Sequence, residues 1–121
     1  MAAQVGMQKL TNLNHEVRDG CLVLKPSRRI DSANAKTFEE EAYALLDKGP
    51  VKVVMDSTDL DYISSAGLRV ILTTAKKAKA AGGGLTIACA KVNVKEVLQV
   101  SGFDTIFGMH ETVDAAIAAL A

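Results

Sequence analysis

The chain has 121 residues, with 14 basic and 14 acidic side chains. That balance argues against a global pull toward nucleic acid or an anionic membrane. Apolar residues make up 49% and aromatic residues 4%, with no Trp, which argues against a disordered chain and against an aromatic platform for bases or sugars.

The opening "MAAQVGMQKL" has neither a basic n-region nor a long apolar h-region. No apolar run reaches the ~18 residues of a transmembrane helix. Together these predict a cytoplasmic protein without direct membrane insertion. "RDG" at Arg18 to Gly20 lies between apolar segments and predicts a β-hairpin. Its second strand starts at Cys21, its looser partner spans Met7 to Val17, and Pro26 ends or bends it.

In "DSANAKTFEEEAYALLDKG" apolar residues recur at Ala35, Phe38, Ala42, Leu45 and Leu46. This spacing predicts an amphipathic helix, capped by Asp31 or Ser32 and closed by Gly49 and Pro50, with Glu39 to Glu41 on its solvated face. "VKVVMD" (Val51 to Asp56) reads as a buried strand, and the polar "STDLDYIS" as the turn after it. Ala66 to Ala81 reads as a second helix, with Leu68, Ile71, Leu72, Ala75 and the stem of Lys79 on one face. The glycines at 82–84 end it. They are not a phosphate-binding loop, because they follow a helix and no GK[ST] comes after.

"LTIACA" (Leu85 to Ala90) predicts a buried strand, and "VNVKEVLQVSG" a short helix facing inward through Val94, Val97, Leu98 and Val100. "TIFGM" gives a last strand and "HETVDAAIAALA" a terminal helix, with His110 at its start. The order is β-β-α-β-α-β-α-β-α, an α/β domain with a mixed, mostly parallel sheet and about four helices. Residues 1–121 are expected to form one domain, with residues 1–6 disordered or loosely attached. Cys21 and Cys89 sit in apolar settings and read as reduced thiols, a disulfide being the alternative. Neither forms a CxxC pair and His15 and His110 are isolated, so no metal site or cofactor is expected.

Ser64 and Ser65 fall between the central strand and the second helix, where α/β folds carry function. Three readings compete. One serine could cap the helix. Ser65 could be a nucleophile, although the turn is not G-x-S-x-G and neither histidine has an evident route to it. Or a serine could accept a phosphoryl group, whose charge the helix N-terminus tolerates and a packed partner does not.

The stretch "DLDYISSAGLRVIL" resembles the signature of the STAS domain family, the anti-sigma factor antagonists. "RRIDSANAKTFEEE" is similar to the family's early motif, "VVMD" to its central strand, and "AKAAGGGLTIACAKVNVKEVLQVSGFDTIF" to its closing strand-helix-strand with the "SGF" turn. The resemblance implies a STAS-like fold and a binding protein rather than an enzyme. It implies as partners an anti-sigma factor of the serine-kinase (GHKL) type, which phosphorylates the antagonist and so loses it, and a PP2C-like phosphatase that reverses the step. Aligned on Gly67, the phosphoacceptor is Ser65, with Ser64 as rival. Asp31 matches the acidic residue near the acceptor.

The implied partner-binding surface comprises Asp31, Ser32, Ser64, Gly67, Arg69 and Thr73. Two departures stand out. Ser64 replaces the family's usual Asp, and Arg28 stands where a Gly is usual. Arg28 and Arg29 either serve an acidic partner or a phosphate, or are solvated surface residues. An alternative function is that of a STAS subunit in a membrane transport assembly, working beside an ABC transporter ATPase.

Overall fold

A computed structural model describes residues 13–121. The expectations for residues 1–6, and for the first strand before Leu13, lie outside the described residues. β1 (Asn14–Arg18) and β2 (Cys21–Lys25) form the expected hairpin. Its two-residue turn has positive φ at Asp19 (52°) and Gly20 (78°), the left-handed pair that matches the twist of antiparallel strands.

β4 (Lys52–Asp56), β6 (Gly84–Ala88) and β7 (Gly108–His110) follow β2 in parallel. The sheet order is β1-β2-β4-β6-β7, mixed and mostly parallel as expected. Side chains alternate across it. Leu22, Leu24, Val53, Met55, Leu85 and Ile87 face one layer, formed by α1 (Ala35–Lys48), α2 (Ser65–Ala80) and α3 (Val92–Val100). Cys21, Val23, Val54 and Ala88 face the other, against Ala116 of α4 (Val113–Leu120). Each buried Val, Leu, Ile or Met among them contributes about 1.5–3 kcal/mol by leaving water. Both cysteines are free thiols. Burial pushes the Cys21 thiol up from its ordinary value, so it resists ionisation.

Two short strands join the expected order. β3 (Arg28–Ile30) and β5 (Leu60–Ile63) pair in parallel as a separate two-stranded sheet. The segment read as a polar turn therefore holds a strand, anchored by buried Leu60 and Ile63.

Several details of the helices differ from expectation. Asp31 and Ser32 precede α1, and Asn34 stands at its N-cap without a side-chain cap bond. The Asp31 carbonyl instead accepts from the N–H groups of Asn34 (3.2 Å) and Ala35 (2.8 Å), making a turn before the helix. The buried stripe of α2 is Gly67, Val70, Ile71, Thr74 and Ala78, rotated from the predicted face, with Leu68, Leu72 and Ala75 half-buried and Lys79 exposed. Thr74 tolerates burial because its hydroxyl donates to the Val70 carbonyl at 2.6 Å. Val100 is exposed rather than inward, and His110 lies on β7, Thr112 being the N-cap of α4.

The helix α2 ends as the glycines require. Gly82 has φ 99°, its N–H donates to Lys79, and the Gly83 N–H reaches back to the Ala78 carbonyl at 2.9 Å. A Cβ on Gly83 would lie 1.9 Å from the Val51 carbonyl oxygen, so only glycine fits.

Candidate functional site

The small β3–β5 sheet assembles the site. Ile30 pairs with Ile63, so Asp31 leaves β3 just where Ser64 leaves β5. The Ser64 N–H donates to the Ile30 carbonyl at 2.9 Å and fixes that junction. Two segments more than thirty residues apart thus emerge side by side, at the carboxyl end of the sheet.

The two serines have different surroundings. Ser64 is the N-cap of α2, with extended backbone (φ −96°, ψ 177°), and its hydroxyl accepts from the Gly67 N–H at 3.2 Å. Its carbonyl accepts the first helical bond, from Leu68 at 2.8 Å. Asp and Ser are about equally good at an N-cap, which explains in physical terms how Ser64 can stand where the resemblance puts Asp. Ser65 is the first helical residue and is exposed. Its hydroxyl has no hydrogen-bond partner among the described residues, so no general base engages it. The backbone N–H groups of Ser65 and Ala66 are likewise free among the described residues. They point their partial positive charge out of the helix start.

Gly67, expected on the partner-binding surface, is buried. A Cβ there would lie 2.6 Å from the Ile30 carbonyl oxygen and 2.8 Å from Ile63 Cγ1. Its part in the site is to let α2 dock closely onto both strands, which sets where Ser65 stands. Arg69 is exposed, one turn beyond Ser65. Thr73 is half-buried: its hydroxyl donates to Glu39 Oε2 at 2.6 Å, with the Val70 carbonyl 3.1 Å away, and ties α2 to α1. Ser32 is exposed on the turn before α1.

Asp31 is held from several sides. Its Oδ1 accepts from the Ala33 N–H at 2.9 Å and its Oδ2 pairs with Arg29 Nε at 2.6 Å. The Ala33 N–H, then the Arg29 guanidinium, hold the carboxyl below its ordinary value against the opposing effect of partial burial. Arg29 also stacks over Tyr62, 5.1 Å from the ring centroid, its partner in the β3–β5 register. Arg28 is exposed with φ 68°, the conformation a glycine would adopt freely. The turn keeps a glycine-type backbone with an arginine in it, and its N–H donates to the Asp59 carbonyl at 2.7 Å.

Sequence reasoning missed Asn34 and Tyr62. The Asn34 side chain accepts from the Asp31 N–H (2.9 Å) and donates to the Arg29 carbonyl (2.8 Å), clamping the turn that presents Asp31. The spacing Asp-x-x-Asn was the available signal. Among the described residues no group of three or more His, Cys, Asp or Glu is gathered to hold a metal ion, and no helix is long and apolar enough to cross a membrane.

A family model, STAS domain, matches residues 12–116. BtrV of Bordetella bronchiseptica, which is named as an anti-sigma factor antagonist, is 45% identical over 101 residues, covering 84% of this chain and 87% of its own. Among solved structures, TM1081 of Thermotoga maritima superposes with a TM-score of 0.84 at 24% identity, over 89% of this chain and 93% of its own. The anti-sigma factor antagonist SpoIIAA superposes in its unphosphorylated form with a TM-score of 0.74 at 19% identity, over 87% and 92%. The phosphorylated form of the Bacillus protein gives 0.68 at 17% identity, over 90% and 99%. At these identities the solved structures establish likeness of fold.

Proposed function

The chain belongs to the STAS domain family, and on that premise we propose that it is an anti-sigma factor antagonist switched by phosphorylation of Ser65. The observation that carries this reading is the division of labour between the serines. Ser64 is occupied as the helix cap, whereas Ser65 offers an exposed, unpartnered hydroxyl. The relationship to BtrV supports the general role. That SpoIIAA exists in unphosphorylated and phosphorylated forms of one fold supports the switch.

Unphosphorylated, the surface around Ser65, Asp31, Ser32 and Arg69 binds an anti-sigma factor that is itself a GHKL-type serine kinase. The kinase transfers the γ-phosphoryl group of ATP to Ser65 Oγ, whose proton passes to a base of the kinase, and ADP leaves. The phosphate meets the free N–H groups of the helix start and the Arg69 side chain four residues on. The fold is kept. The partner, however, then faces close to two negative charges where it had packed on a small neutral group. A charge that the partner's surface does not compensate costs a few kcal/mol at an interface, and each ~1.4 kcal/mol weakens binding tenfold. A PP2C-like phosphatase hydrolyses the phosphoester and restores binding. The chain supplies no catalytic group to either step, and the exchange takes place in the cytoplasm.

A pull-down from native lysate with wild-type and Ser65→Asp baits tests this reading. A serine kinase retained by the first bait and lost by the second, both baits being folded by circular dichroism, is the expected result. Recovery of an ABC transporter ATPase with both baits would favour the transport-subunit reading. Phosphorylation of Ser65→Ala to the wild-type extent would refute the site.

A further inference from the structure

A second surface lies at the other end of the sheet. β7 covers β6 only from Thr86 to Ala88, so Gly84 and Leu85 have no strand beside them on that edge. The chain returns there through a 3-10 turn (Phe103–Thr105). The gap is a groove of about 490 Å³ lined by Leu72, Ala75, Leu85, Ile106, Phe107 and Leu120. That volume is within the range of small-molecule sites. Phe107 is buried, yet Ile106 is 59% exposed, an apolar side chain left in water beside an apolar groove.

Charge distinguishes this groove from a simple packing defect. Lys76 and Lys79, both exposed, also line it. Neither has an acidic partner among the described residues. Lys77, between them, is neutralised on the other side of the helix by Asp47 at 3.1 Å and sits 4.9 Å over the Tyr43 ring. Lys77, on the side facing α1, is thus paired, and the two lysines facing the groove are not. The part of α2 that lines the groove, Leu72 to Lys79, lies about 10–21 Å along the helix from Ser65, counting 1.5 Å per residue.

We propose that this groove binds a fatty acid, its acyl chain along Leu72, Leu85, Ile106 and Leu120 and its carboxylate held by Lys76 and Lys79. The chain supplies the apolar area and the head group the charge that the two lysines lack. The proposal is independent of the Ser65 switch.

The test is an amide NMR titration of the 121-residue chain with octanoate, 1-octanol and acetate, each kept below its solubility limit or micelle threshold. Octanoate is expected to shift the Lys76, Leu85 and Ile106 amides saturably while leaving Ser65 unmoved, and acetate to shift none of them. Octanol, with the same tail and no charge, is expected to bind about tenfold more weakly. The double variant Lys76→Gln/Lys79→Gln should bring octanoate down to octanol's affinity and leave octanol unchanged; both sites are exposed, and circular dichroism confirms that the fold is kept. The proposal is overturned if octanoate fails to saturate, if octanoate and octanol bind alike, or if the double variant binds octanoate as tightly as wild type. It is also overturned if sedimentation shows that a second copy of the chain fills the groove without ligand.

Discussion

Replacing each serine of the turn by alanine separates the structural hydroxyl from the functional one. Ser64→Ala removes the oxygen that accepts from the Gly67 N–H at 3.2 Å. That N–H is the third of the helix, and the packing that buries Gly67 leaves it without a ready substitute partner. Loss of a serine N-cap costs typically about 1 kcal/mol. The bond is at the long end for N–H···O geometry, which argues against the upper end of the ~0.5–2 kcal/mol range. For a domain of this size, 1 kcal/mol lowers Tm by about 4 °C. Ser65→Ala removes a hydroxyl with no partner among the described residues, so its stability should stay within about 0.5 kcal/mol of wild type. Urea unfolding gives both values from midpoints at constant m. In a kinase reaction with γ-labelled ATP the ranking inverts: Ser64→Ala, tested well below its Tm, is labelled, and Ser65→Ala is not. A stable Ser64→Ala that fails to accept phosphate, beside a destabilised Ser65→Ala that still does, would show the roles to be exchanged.

Three further outcomes follow from the geometry. Gly67→Ala should destabilise by up to about 2 kcal/mol, the ~1–3 kcal/mol of overpacking against the Ile30 carbonyl less the ~1 kcal/mol gain in helix propensity; urea unfolding checks it, and a stabilised variant would mean α2 does not approach the strands so closely. Arg28→Gly relieves an arginine at φ 68° and should stabilise by up to about 1 kcal/mol, since relief of the strained conformation exceeds the entropy glycine adds to the unfolded chain. Asp31 should titrate below the ordinary value of 3.8 when followed by carboxyl NMR, and Arg29→Gln should raise its pKa. Because the folded value is the lower one, its contribution to stability is fully present above 3.8 and is lost as pH falls through the folded pKa, leaving neutral pH unaffected.

The sequence made the large elements legible because their patterns are long and regular. Asp-Gly between apolar runs located the hairpin, and three- and four-residue spacings located the helices. The site was harder for two reasons. β3 and β5 have three and four residues, and the burial of Leu60, Asp61, Tyr62 and Ile63 does not alternate, so no period identifies a strand. Nor does residue type show that Gly67 and Thr74 belong to the buried stripe of α2, the one for close approach and the other by satisfying its own hydroxyl. The serines themselves were visible. Which one caps and which one is exposed became clear only from the helix start, one residue earlier than expected.

The Ser65 switch is tested by the affinity of the chain for its kinase partner before and after stoichiometric phosphorylation, with the phosphosite mapped by mass spectrometry. One phosphate, on Ser65, is expected, with an unchanged or slightly higher Tm and an affinity weakened by roughly 100-fold, the ~2.7 kcal/mol expected of a charge the partner does not compensate. Phosphate on Ser65 with affinity unchanged, or phosphate on Ser64 in place of Ser65, would contradict it.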